Sequence, residues 1–231
     1  MKAGPIAAHP AAMISDPSRA AMLTAMMDGR FHPASELAYM AGITPQTASY
    51  HLAKLEEAGM VAMHKQGRHR YYGLKSHDVA AVVETLLLLA PPVEIKSLRQ
   101  SEENRHLRRA RTCYDHVAGD LGIRLRDAMI EAGVIREEAA AFAITGEGAA
   151  FFEQLGIDVE AVRKKRRSFC SKCLDWSERT PHLAGSLGSA LLERLLELRW
   201  LLRMEGTRAL RITDEGVRGL QETFHIEIPR S

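Results

Sequence analysis

Thr44-Pro45-Gln46-Thr47-Ala48-Ser49-Tyr50-His51-Leu52-Ala53-Lys54-Leu55-Glu56-Glu57-Ala58-Gly59 is the stretch on which the fold turns. Thr44 offers an N-cap oxygen, Pro45 suits the first helical position because its missing N–H would have no partner there, and Gly59 closes the helix. Ala48, Leu52 and Leu55 recur at helical spacing and define a buried stripe. The other face shows Gln46, Thr47, Ser49, Tyr50, His51 and Lys54, hydrogen-bonding and basic groups with no carboxylate among them.

Working outward, a second helix begins near Pro33 and Ser35 and stops at Ala41-Gly42, so a tight Gly-containing turn joins two short helices. A further helix upstream starts with Asp16 as N-cap and Pro17 at its first position and is stopped by Gly29. Downstream, two β-prone runs flank Gln66-Gly67, the expected hairpin turn. Lys65, Arg68, His69 and Arg70 crowd its tip. A polar helix face followed at once by a basic hairpin suits major-groove reading and phosphate contact, with Thr44 at the leading end of that face. The reading is a winged helix-turn-helix.

The run from Asp16-Pro17-Ser18-Arg19 through Ser49-Tyr50-His51-Leu52 and Gly59-Met60-Val61 to Gly67-Arg68 and Tyr71-Tyr72 resembles the ArsR/SmtB family of transcriptional regulators, over roughly residues 1–90. The resemblance implies a homodimeric repressor that holds double-stranded operator DNA until an effector releases it. It also implies subunit pairing through the first helix and the helix at about 76–90, where Val79, Val82, Val83 and residues 86–89 give an apolar face. Two family metal sites are missing: no cysteine lies in 35–42, and His77, Asp78 and Glu84 do not match the dimer-helix ligand pattern.

Bulk properties bound the rest. A net charge of +2 over 231 residues is too mild to announce nucleic-acid binding by itself, so a footprint must come from local clustering. The first five residues lack the apolar core of a signal peptide, and the run at 86–90 is far short of a membrane span. With three cysteines, too few for a disulfide framework, the chain reads as cytoplasmic with no membrane partner.

The division expected is 1–92 for DNA binding and dimerisation and 93–231 for effector sensing, after a break at Pro91-Pro92 and a solvated polar segment from Lys96 to Arg111. The second half repeats itself: His116-Val117-Ala118-Gly119-Asp120-Leu121-Gly122 matches His182-Leu183-Ala184-Gly185-Ser186-Leu187-Gly188, and Ile144-Thr145-Gly146-Glu147-Gly148 matches Ile212-Thr213-Asp214-Glu215-Gly216. The fold class is therefore mainly α with small β-hairpins (α+β): a winged helix-turn-helix followed by two winged-helix-like repeats about a pseudo-twofold axis.

All cysteines fall in that half. Cys113-x-x-His116 and Cys170-x-x-Cys173 supply a Cys₃His set for zinc or another soft divalent metal, with His182 as a replacement for Cys170 and with Asp115 and Asp175 behind the ligands. Three readings stay open: metal binding, a Cys170–Cys173 disulfide switch, and a purely structural role or an organic ligand. The basic run at 163–167 reads as a solvated face, as a contact to flanking DNA or, with Lys172 and in the disulfide reading, as charges that lower the thiol pKa. An enzyme is not expected, because no Gly-rich nucleotide fingerprint follows a strand and the Cys-x-x-Cys lacks a thioredoxin-like setting. The alternatives to an effector-controlled regulator are a thiol redox enzyme and an architectural DNA-binding protein.

Overall fold

The structure, a computed structural model, describes residues 7–91 and 97–229. The first five residues, Pro92 and Lys96, on which the sequence reading drew, lie outside the described residues. The chain divides into two compact units, Met1–Leu89 and Ala90–Ser231. Among the described residues no helix is long and apolar enough to cross a membrane.

In the first unit, α1 (Ala8–Ile14), which the sequence did not suggest, precedes α2 (Pro17–Ala25). The Asp16 carboxylate caps α2 by accepting from the Arg19 amide at 3.0 Å. After α3 (Ala34–Met40) comes α4 (Pro45–Glu57), where Thr44 Oγ1 accepts from the Thr47 amide at 3.2 Å and Pro45 opens the helix. Met22, Leu23, Met26, Met27, Leu37, Leu52 and Leu55 are fully buried and form the core between these helices. A short β1 (His32–Pro33) joins β2 (Val61–Gln66) and β3 (His69–Leu74) in an antiparallel sheet of order β1-β3-β2. Gln66 pairs with His69, so the hairpin turns on Gly67-Arg68, one residue later than expected. The unit ends with α5 (His77–Leu89).

The second unit includes α6 (Leu98–Arg109), none of whose residues is buried, but the solvated segment expected to reach Arg111 stops short of it, because Ala110 and Arg111 are fully buried. One series of elements then occurs twice. The first is β4 (Arg111–Cys113), β5 (His116–Ala118), α7 (Asp120–Glu131), β6 (Ile135–Glu137), β7 (Phe142–Ile144) and α8 (Gly146–Gln154). After a short α9 (Val159–Arg163) the second is β8 (Ser171–Leu174), β9 (Pro181–Ala184), α10 (Gly185–Glu197), β10 (Leu201–Arg203), β11 (Leu210–Ile212) and α11 (Asp214–Phe224). Each series is hairpin, helix, hairpin, helix, and each leading hairpin lies ahead of the helix–strand–helix pattern read from the sequence. The last helix of each is capped alike: Thr145 Oγ1 accepts from Gly148 and Thr213 Oγ1 from Gly216, both at 2.8 Å.

The two series exchange contacts, with α7 packed on β9 and α10 on β5. Glycine at matched positions permits this. A Cβ on Gly122 would sit 2.7 Å from the Val117 carbonyl oxygen and 3.6 Å from His182 Cβ; on Gly188 it would sit 2.7 Å from the Leu183 carbonyl oxygen and 3.3 Å from His116 Cβ. Gly188→Ala should therefore destabilise the second unit by ~1–3 kcal/mol, the range for forcing a methyl into a packed interior. A thermal melt reads this, and an unchanged midpoint would mean that α10 does not lie against β5.

Candidate nucleic-acid interface and metal centre

On α4, the residues Gln46, Thr47, Ser49 and Tyr50 are exposed, and Lys54 is half-buried with its ammonium 4.5 Å from the Tyr50 ring centre. On the β2–β3 hairpin, Lys65, Arg68, His69 and Arg70 are all exposed. The helix thus offers hydrogen-bonding groups and the Lys54 ammonium, and the hairpin after it three permanent positive charges, Lys65, Arg68 and Arg70. The hydroxyls of Thr44, Thr47 and Ser49 are already engaged: Thr44 caps α4, Thr47 Oγ1 lies 2.9 Å from Thr44 Oγ1, and Ser49 donates to the Pro45 carbonyl at 2.9 Å.

His51 departs from expectation. It is buried, its Nδ1 is 3.4 Å from Arg19 Nη1, and its Nε2 is 3.9 Å from Asp16 Oδ1. Its position explains this: 48, 51, 52 and 55 follow one i, i+3, i+4, i+7 stripe, so His51 borders the apolar face and ties α4 to the start of α2.

In the second unit, the two leading hairpins converge. Cys113 stands opposite His116 across β4–β5, and Cys173 stands opposite His182 across β8–β9. Directly paired residues of an antiparallel ladder share a face, so each hairpin presents one sulfur beside one imidazole. The Sγ atoms of Cys113 and Cys173 lie 3.7 Å apart and the Nε2 atoms of His116 and His182 lie 3.1 Å apart. All four donor atoms fall within 4.8 Å of one another. A tetrahedral zinc with bonds of about 2.3 Å to sulfur and 2.0–2.1 Å to nitrogen has edges of about 3.8 Å between sulfurs and 3.3 Å between nitrogens. The sulfur–sulfur and nitrogen–nitrogen separations are close to those edges. Cys113, His116 and His182 are buried and Cys173 half-buried.

Behind each imidazole stands a carboxylate. Asp115 Oδ1 is 3.3 Å from His116 Nδ1, and Asp175 Oδ2 is 3.5 Å from His182 Nδ1. This arrangement turns both Nε2 atoms inward, as ligand histidines require. Arg167 donates to Asp115, and Arg111 pairs with Asp175 at 2.9 Å with both side chains fully buried. Each arginine comes from the other half of the unit, so the pairs cross-brace the hairpins. Asp175 also accepts from the Gly119, Ser177 and Glu178 amides and the Ser177 hydroxyl.

Charge around the pair is set by this enclosure. Burial opposes a proton on His116, but Cys113 and Asp115 outweigh it and raise the imidazole to about 9. Burial and the facing His116 push His182 well below its usual value. The four donor atoms converge on one enclosed point, an arrangement suited to a cation.

Cys170 does not join the cluster. It lies in the apolar core, where burial lifts its thiol to about 12. His182 takes the fourth place. Arg167 belongs to the basic run that the sequence sets beside the thiols as well as on a solvated or DNA-flanking face; its bond to Asp115 was not anticipated. Nothing in the local sequence marks Arg111 as a buried partner of Asp175.

Residues 14–64 match the family model described as a helix-turn-helix domain. The chain is 50% identical over 216 residues to the HTH-type transcriptional regulator YdfF of Bacillus subtilis, covering 94% of this chain and 96% of the relative. Among solved structures, the cadmium metal-sensor CMTR from Mycobacterium tuberculosis is 29% identical, with 39% of this chain and 93% of that chain covered and a TM-score of 0.32. A homodimeric winged helix-turn-helix DNA-binding domain from Mycobacterium bovis is 23% identical, with 36% of this chain and 75% of that chain covered and a TM-score of 0.33.

Proposed function

The chain belongs to the HTH-type transcriptional regulators, and from that premise we propose that it is a homodimeric cytoplasmic repressor whose grip on operator DNA changes when Cys113, His116, Cys173 and His182 hold a soft divalent metal, zinc first among them. The observation that carries the DNA half is the joint exposure of Gln46, Thr47, Ser49 and Tyr50 on α4 and of Lys65, Arg68, His69 and Arg70 on the hairpin. In this reading Gln46 and Thr47, near the helix N-terminus, read base edges, while the hairpin cations meet phosphates. The apolar side chains left exposed on α5, Val82, Leu86 and Leu89, support pairing of two copies through that helix. Repression follows from the ArsR/SmtB resemblance of residues 1–90. The sensing half rests on the tetrahedral fit of the donor set, and it acts by binding, with no catalytic step.

A titration of a DNA fragment carrying the chain's own operator, at several salt concentrations, tests the interface. Replacing both Arg68 and Arg70 by Ala should weaken binding at every sequence and reduce the salt slope by roughly 0.9 per lost phosphate contact, hence by about two. An unchanged slope removes the hairpin from the interface. Gln46→Ala should instead relax sequence preference.

A further inference from the structure

Resting on the metal reading above, we propose that the site is also a peroxide-sensitive switch, in which Cys173 is oxidised first and Cys113 then closes a disulfide with it that dismantles the metal site.

Three observations carry this. The two sulfurs are already 3.7 Å apart, so a bond of about 2.05 Å asks them to approach by less than the width of an atom. They differ in access: Cys173 is half-buried, while Cys113 is only 2% exposed. An oxidant therefore meets Cys173, and Cys113 waits beside it as the resolving thiol. The third cysteine is segregated, since Cys170 sits in the apolar core with its thiol raised to about 12 and so stays protonated and inert.

The chemistry balances with a peroxide as the oxidant. The Cys173 sulfur attacks one peroxide oxygen, the O–O bond breaks, hydroxide leaves and a sulfenic acid forms. Cys113 sulfur then attacks Cys173 sulfur, the S–S bond forms and the sulfenic oxygen leaves as hydroxide. Two protons turn both hydroxides into water. The two sulfurs have together lost two electrons and the peroxide has gained two. What remains for a metal is a pair of imidazoles, without the thiolates that favour a soft ion.

The experiment treats the full-length, zinc-loaded protein with hydrogen peroxide and follows zinc with a chromogenic chelator, free thiols by titration and the linkage by peptide mapping. The expected result is loss of two of the three thiols, a Cys113–Cys173 crosslinked peptide and stoichiometric zinc release in step with it, all reversed by dithiothreitol. Cys170→Ser should respond as the parent does. Retention of all three thiols in loaded protein would overturn the switch, as would a crosslink through Cys170 or over-oxidation of Cys173 without a crosslink. Protein that takes up no zinc yet forms the Cys113–Cys173 bond would sink the metal reading and leave the thiol pairing standing.

Discussion

Removing metal from the purified protein with a chelator should lower the melting midpoint of the Ala90–Ser231 unit by roughly 10 °C, since a ligand at a thousand times its dissociation constant stabilises by about 4 kcal/mol and each kcal/mol moves a domain of this size by about 2–4 °C. The reason for so large an effect is the origin of the ligands. Two come from the β4–β5 hairpin and two from β8–β9, so an ion at their centre ties together segments that are far apart in the chain. The Met1–Leu89 unit, which offers none of these ligands, should melt where it did before. Cys113→Ala or His182→Ala should reproduce the drop and become insensitive to added zinc. Cys170→Ala should lose core packing, ~2–5 kcal/mol at most for far larger truncations, yet keep its metal. Calorimetry with metal analysis on the same samples reads all of this. Identical melts for stripped and loaded protein, or full metal content in His182→Ala, would remove the cluster from the proposed function.

The contrast between Cys170 and Cys173 shows where sequence spacing stops being informative. Both Cys170-x-x-Cys173 and Cys113-x-x-His116 have the same separation, but the backbone treats them differently. Cys113 and His116 flank a two-residue turn, Tyr114-Asp115, with Tyr114 held at φ 59°, so they become cross-strand partners on one face. Cys170 lies in a bend just ahead of β8 and Cys173 within the strand, so no turn sets the two opposite each other across a ladder. One therefore enters the core and the other meets His182. Spacing proposes that two ligands are near; only the turn decides whether they face together.

Other parts were written plainly. The caps at Asp16 and Thr44, with proline after each, fix the starts of α2 and α4 through local hydrogen bonds that any context would keep. The repeated His-x-Ala-Gly-x-Leu-Gly stretches marked the two helices that cross beside the site, and their second glycines are where each helix approaches the opposite histidine. His51 was misplaced because its polarity outweighed its position in the heptad-like stripe. Arg111 was invisible because its partner is distant in sequence, and no local pattern records a buried ion pair.

That ion pair sets the second large effect. Asp175→Asn should destabilise the Ala90–Ser231 unit by ~3–5 kcal/mol, because the amide keeps the shape of the carboxylate but leaves the fully buried Arg111 guanidinium facing a neutral group. The amide also turns a donor toward the ring of amides and hydroxyl that Asp175 accepts from. Burial pushes the Asp175 carboxyl up, but Arg111, Ser177 and Gly119 outweigh it and hold it well below the usual carboxylate range. A depressed carboxylate contributes stability that is whole above its unfolded value, about 3.9, and lost as pH falls below that toward the folded value. The parent should therefore lose stability below about pH 4 more steeply than the variant does in urea titrations. Adding Arg111→Met to Asp175→Asn should cost much less than Arg111→Met does in the parent, since it removes a charge already stranded. The same Asp175→Asn change should weaken zinc affinity by ~10–100-fold through His182, whose Nδ1 it backs. Additive stabilities with undiminished zinc affinity would reduce the brace to ordinary packing, whereas coupling in both readouts makes the Arg111–Asp175 pair the strut that holds one half of the site against the other.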